Sequence, residues 1–356
     1  MKSFLLFLLF ITSIVLHAQT TYYVSNAGND ANSGTSKAAP WKSTYHVSNN
    51  TFNPGDRILF RRGDVWYGKT LTINSSGTSS KPIIFNTYVD GPHQLHLDKP
   101  IITTVSKFEQ STIEADWERV YGNQNIWRTK VTIENPGRLF KNYNPRDNSN
   151  QVELVMAYNI ENLDKKTYSA IDGSERPKDM WFWLNKDSIF NETTVYNKKI
   201  LYVVSSQNPA SNNNLYKSTN IFDENSTIVF GGNASNIEVI NIDFQGGVNC
   251  MRFNGGANNI TVQHSKIGAN SSNGVRVFKG RNLTFKNNIF NSWYESLTGL
   301  TQEDKDGIMS NRNYDLSGTD TRGNGDAIFI TDGSNNEFYE NTFKNWGHGA
   351  FTAVFS

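Results

Sequence analysis

The chain has 356 residues, with 34 Lys plus Arg against 33 Asp plus Glu, a net charge of +1 and a mean hydropathy of −0.54. So even a balance provides no global field to attract nucleic acid or an anionic membrane, and any charge preference has to be local. Cys250 is the sole cysteine, which excludes an internal disulfide and leaves burial and backbone hydrogen bonding to hold the fold.

The amino end comes first. Lys2 precedes an apolar run from Phe4 to Leu16, after which "HAQT" opens a polar sequence. About 13 apolar residues are too few to span a bilayer, which needs roughly 20. The charge, apolar stretch and small-residue exit are those of a secretory leader, residues 1–18, removed after Ala18. The mature chain is therefore expected to be secreted, periplasmic or held at the cell surface, without membrane insertion, and to act as a monomer.

Residues 19–104 are dense in Asn, Ser, Thr, Gly and aromatic residues, with turn formers such as "NAGNDANSG" and "NSSG" between short apolar alternations. This pattern predicts strands joined by tight turns and very little helix. Residues 105–227 follow a different pattern. They carry Trp117, Trp127, Trp181 and Trp183, the turn-rich "NYNPRDNSN" and "DGSERPKD", and the strand-like "KKILYVVSSQNPAS". Two readings stand for this stretch: an inserted β-rich segment, or long irregular coils of the surrounding scaffold.

Residues 228–356 repeat. Segments starting at Asn236, Asn259, Asn282 and Asn335 align without gaps, each reaching an apolar residue eight positions on: Phe244, Ile267, Phe290 and Phe343. Apolar residues two apart, such as Ile237 and Val239 or Leu283 and Phe285, give strand periodicity. A unit of about 23 residues cannot bury a face alone, so successive units must stack strand on equivalent strand. That predicts a parallel β-helix. The chain stops at "FTAVFS" with no polar cap, and further coils are expected beyond it.

With "NNIF" and "ENTF" closing coil strands, this region resembles the right-handed parallel β-helix repeats of secreted bacterial carbohydrate-active proteins. "TYYVSNAGNDANSGTSKAAPWKS", "GDRILFRRGDVWYG" and "SGTSSKPIIFNTYVDG" resemble the amino-terminal coils of the same group. The resemblance implies an all-β, right-handed parallel β-helix solenoid with an inserted β-rich segment, acting on polysaccharide. It leaves the reaction open, because the group includes lyases, hydrolases, epimerases and proteins without known chemistry.

Laying "NCMRF", "NGVRV", "DAIFI" and "HGAFT" in parallel places Asn249, Asn273, Asp326 and His348 in one column, with neighbours about 4.8 Å apart. A carboxylate and an imidazolium about 5 Å apart attract by roughly 3 kcal/mol at an effective dielectric near 20, so Asp326 and His348 are a candidate acid/base pair. Asn and Asp are equally what a turn requires, which keeps a purely structural role open for both. "GD" and "GHG" in this order resemble pectin-cleaving β-helix hydrolases, although Ala327 stands where that group has a second aspartate.

The opposite parity gives a second predicted column: Arg252, Arg276, Phe329 and Phe351. Arginine forks match carboxylate or sulfate, and aromatic rings lie against sugar faces, so this column is the candidate binding surface for an acidic polysaccharide; ordinary surface charge with edge aromatics is the other reading. About 30 extra residues between Phe290 and Asp326 bring Trp293, Tyr294, Glu295, Asp304, Lys305, Asp306, Arg312 and Arg322 beside it. Trp293 and Tyr294 are candidate substrate contacts. Lys305 or His348 is a candidate base for β-elimination, and Asp326 with a loop carboxylate a candidate pair for hydrolysis. No metal site and no cofactor are expected, except that "EDKDG" offers oxygen ligands for Ca2+ without the full spacing of a calcium loop. A non-catalytic polysaccharide-binding or adhesion scaffold is the alternative to an enzyme.

Overall fold

The computed structural model describes residues 18–91, 98–107, 113–120, 125–131, 138–147, 152–156, 180–184, 188–190, 194–196, 200–211, 216–218, 226–270, 272–292, 326–344, 346 and 349–355. Three parallel sheets wind through it as a right-handed parallel β-helix. The first sheet stacks Thr21–Val24, Arg57–Arg61, Ile83–Tyr88, Ser235–Ile240, Asn258–Gln263, Arg281–Lys286 and Glu337–Tyr339. The second stacks Val65–Tyr67, Ile101–Thr103, Asp243–Gln245, Lys266–Gly268, Ile289–Asn291 and Thr342–Lys344, and the third Leu71–Ile73, Ser226–Phe230, Asn249–Phe253, Val275–Phe278, Ile328–Thr331 and Phe351–Val354.

The repeat asparagines explain how so short a unit closes. Asn236, Asn259, Asn282 and Asn335 all adopt φ between +52° and +53°, the left-handed region that asparagine tolerates better than other side-chain-bearing residues. Each bends the chain at the same place in its coil. A second left-handed column, Asn241, His264, Asn287 and Glu340, turns the chain from the first sheet into the second. Within that corner Asn288 accepts a hydrogen bond from Ser265 N at 2.9 Å and donates to Val262 O at 3.0 Å, so its buried amide is paired with backbone.

Alternation sends the other set of side chains inward. Phe230 stacks on Phe253 at 4.5 Å between ring centroids, Phe285 on Phe338 at 5.1 Å, and Phe290 on Phe343 at 4.9 Å. Each fully buried ring contributes roughly 1.5–3 kcal/mol by leaving water, and stacking on the equivalent residue of the next coil turns one repeat's apolar face into its neighbour's contact. Helix Thr44–Ser48, capped by the Ser43 side chain on His46 N, packs beside Leu71–Ile73 at the amino end of the third sheet.

Two long excursions interrupt the coils, and both leave between a second-sheet strand and the next third-sheet strand. One runs from Thr104 until Ser226; the other lies between Asn291 and Ile328. The first forms mostly antiparallel sheets of its own, with Ile200–Val204 between Ile126–Lys130 and Met180–Leu184, around a separate core of Trp117, Trp127, Leu139, Leu154, Leu201 and Val203. Among the described residues, no helix is long and apolar enough to cross a membrane.

Candidate functional site

The corner from which both excursions leave also carries the predicted columns, and the register there can be followed bond by bond. Met251 pairs with Val275 and Val275 with Ile328, which brings Asn249, Asn273 and Asp326 level. Asn273 Nδ2 donates to Asn249 Oδ1 at 3.1 Å, and Asp326 N donates to Asn273 Oδ1 at 3.0 Å. The three form one hydrogen-bonded ladder running up the corner. Asp326 is 2% exposed, which leaves its carboxyl inside the corner and away from solvent.

The last coil departs from the predicted register by one residue. Ile328 pairs with Phe351, so Gly349 lies level with Asp326, and a Cβ on Gly349 would come within 2.8 Å of Asp326 Oδ1. The reason is the length of the turn between the second and third sheets: it takes one residue more after Phe343 and Ile267 than after Phe244, and counting from the phenylalanines cannot reveal that. In the last coil this turn carries Trp346. Its indole donates to Phe290 O at 3.2 Å and covers Gly274, where a Cβ would meet the ring at 2.7 Å. His348 lies outside the described residues.

The same slip corrects Phe351. Phe329 pairs with Thr352, while Phe351 continues the inward column of Met251, Val275 and Ile328 and touches the Phe338 ring at 5.3 Å. By register it belongs with the inward set of the final coil, although it is 48% exposed there, and it does not belong to the outward column.

Arg252, Arg276 and Phe329 do share that outward column, on three consecutive coils. Arg252 is exposed and Arg276 partly buried. The Arg276 guanidinium carbon sits 4.0 Å from the centroid of the Phe329 ring. Burial, followed by the Arg252 charge, lowers the pKa of Arg276 from its ordinary value. Among the described residues neither guanidinium has a hydrogen-bond or ion-pair partner. Like charges directly opposite on adjacent strands destabilise a sheet, so this pair is held at a cost that no neighbouring carboxylate among those residues offsets.

The inserted segment walls the other side of the corner. The Tyr143 hydroxyl bonds Gln245 Oε1, and Gln245 Nε2 donates to Pro145 O at 2.9 Å. Arg138 is 3% exposed and donates to Asn270 O at 3.0 Å and Ser292 O at 2.6 Å, tying the insert to the base of the second excursion. Arg146 reaches Lys99 O and Asp64 O, both at 3.0 Å. Cys250 lies buried here, its thiol pushed up to about 12 by burial, which makes it an unreactive filler.

Trp293, Tyr294, Lys305 and the "EDKDG" stretch lie outside the described residues. Among those that are described, no group of three or more His, Cys, Asp or Glu is placed to hold a metal ion. Trp346 and the anchors Arg138 and Tyr143 were not singled out by sequence. For Trp346 the available signal was the pairing of a turn tryptophan with a glycine, Gly274, in the coil before.

No family model matches the chain. In sequence it is similar to the lacto-N-biosidase of Bifidobacterium longum subsp. longum, 31% identical over 167 residues, which is 45% of this chain and 9% of that protein. Among solved structures it is similar to XylC in complex with xylose (TM-score 0.49, 11% identity, 95% of this chain and 62% of that one). It is also similar to pectate lyase Pel9A (0.40, 12%, 90% and 47%) and to the GH136 lacto-N-biosidase of Eubacterium ramulus (0.36, 15%, 88% and 41%). At these scores and identities the structural likenesses carry no argument about activity.

Proposed function

We propose that this is an exported carbohydrate-active protein that takes an acidic polysaccharide onto the outward face of its third sheet and cleaves it by β-elimination or hydrolysis. The observation that carries the reading is the Arg252–Arg276 pair, two adjacent guanidiniums without an anionic partner among the described residues, one of them seated on Phe329. Such a surface fits a carboxylate or sulfate in charge and in hydrogen-bonding geometry. The similarity to a protein named lacto-N-biosidase supports the carbohydrate part, and the leader-like residues 1–18 support export.

In elimination, a base takes the proton on the carbon beside the uronate carboxylate, the bond between the next ring carbon and the linking oxygen breaks, a carbon–carbon double bond forms between the two carbons, and the departing oxygen takes up a proton. Arginine beside the carboxylate stabilises the charge that develops. Lys305 or His348 is the proposed base. Hydrolysis would instead use Asp326 with a second carboxylate from the excursion. The burial of Asp326 favours a second reading, a non-catalytic polysaccharide-binding scaffold, over hydrolysis.

The test is to incubate the protein with acidic and neutral polysaccharides while following new reducing ends and the ultraviolet absorbance of unsaturated uronate. Both signals, lost in Arg276→Gln, support elimination. Reducing ends alone support hydrolysis. Retention of an acidic polymer without either signal supports the scaffold, and no retention of any acidic polymer overturns the proposal.

A further inference from the structure

The predicted use of the outward column was arginine for the acid group and phenylalanine for the sugar face. The geometry divides the work differently. With the Arg276 guanidinium carbon 4.0 Å from the Phe329 centroid, that face of the ring is already occupied by the cation. A guanidinium lying on an aromatic ring is held by the ring quadrupole and by its own flatness, and is thereby fixed in direction before any ligand arrives. Arg252 stands on the neighbouring strand, roughly 4.8 Å away at the backbone. Two forks at that separation can close on the oxygens of one carboxylate or one sulfate ester, since a carboxylate alone offers about four acceptor sites.

We propose that Arg252 and Arg276 form a single composite oxyanion site, that Phe329 is a positioning residue holding Arg276, and that the saccharide is recognised through one acidic substituent. This rests on the acidic-saccharide reading above and specifies what that site reads. The lowered pKa of Arg276, caused by burial and then by Arg252, agrees with it: an oxyanion between the two relieves both. Uronate carboxylate and sulfate ester share this chemistry, and the ligand arms of the test separate them.

The probes are glucuronate, glucose 6-sulfate and glucose, titrated by calorimetry or NMR at millimolar concentration alongside retention on acidic polysaccharides. The proteins are the full chain and its Arg252→Gln, Arg276→Gln, double Gln and Phe329→Leu forms, each checked by circular dichroism. A composite site binds a charged monosaccharide but not glucose, and the stronger of the two charged probes identifies the acid group. Each single arginine change then loses about ten- to hundredfold in affinity, and the double change loses little more. Phe329→Leu loses about fivefold in the native background and nearly nothing when Arg276 is already Gln.

Losses that multiply in the double form would mean two independent subsites and overturn the proposal. A Phe329→Leu effect that persists without Arg276 would make Phe329 a sugar contact, with the same consequence. Retention of acidic polymers without binding of either charged monosaccharide would overturn it while leaving the broader reading intact. If the native protein retains no acidic saccharide of any length, that reading falls first.

Discussion

The second and third sheets wind side by side through the same coils, yet their outer faces have opposite fates. On the second, Gln245 is buried under Tyr143 and Pro145, and Gly268 and Asn291 occupy the equivalent positions on the next two coils. On the third, the equivalent coils present Arg252, Arg276 and Phe329. At Gln245 the cover completes the hydrogen bonds of a neutral amide, whereas a face that no described residue covers can keep cations for a ligand. The scaffold is indifferent to this choice. Among the described residues the difference follows the first excursion, whose Tyr143 and Pro145 fold onto the second sheet.

The largest expected effect comes from removing what both faces rest on. Phe253 lies directly beneath Arg252 in the chain and packs between Phe230 and Phe285. Phe253→Ala should cost about 3–5 kcal/mol of unfolding free energy in urea, by lost transfer and residual cavity, and should degrade both faces together. Tyr143→Phe tests the covered face alone. It strips Gln245 Oε1 of its donor inside the protein and should cost about 1–3 kcal/mol, with faster proteolysis of the insert and unchanged retention of acidic saccharide. Equal loss of retention would mean that the two faces are not separable.

Much of this contrast was legible in residues, and some was not. The coil repeat was readable because one left-handed bend in each coil falls on asparagine, at Asn236, Asn259, Asn282 and Asn335, whereas the second bend also uses His264 and Glu340 and gives no such ruler. The outward column was readable through Phe329 because strand alternation has a period of two. It failed at Phe351, where a turn one residue longer reversed every side chain after it. The tryptophan-rich insert was visible as a break in the repeat. Its anchoring was not, since Tyr143 and Gln245 stand 102 positions apart and nothing local marks either as a partner. The Asp326 ladder was readable as a column, and its shared parity with Met251, Val275 and Ile328 already argued against exposure; a bend at the corner that could have turned it outward does not do so.

A smaller effect separates the faces by pH. Asp243, on the second sheet and bonded by Lys266 N at 2.7 Å, has its pKa raised by burial despite that bond and the cations of Lys99, Lys266 and Arg146. Its folded value lies above the unfolded one, near 3.9, so between the two the native state holds more protons than the unfolded state. The stability it contributes is full below the unfolded value and is lost as pH rises through the folded value. Asp243→Asn keeps the acceptor for Lys266 and removes the titration. The difference in melting temperature between native and variant protein should therefore fall with rising pH across that interval and level off above it. A difference that rises would show that the cations outweigh burial.

The smallest expected effect is on stability at the open face, and it has the opposite sign. Arg252→Gln removes one of two like charges from adjacent strands while leaving Arg276 on Phe329. Cross-strand repulsion of this kind is worth roughly 0.2–1 kcal/mol, and the exposure of Arg252 places the gain toward the lower end. The variant should melt slightly higher at low ionic strength, and salt should erase the difference, because screening already weakens the repulsion in the native protein. Binding to an acidic saccharide should fall in the same variant. A substitution that stabilises the fold while weakening the ligand is the signature of charge kept for recognition; a variant that lost stability as well would place Arg252 among the residues that hold the coils together.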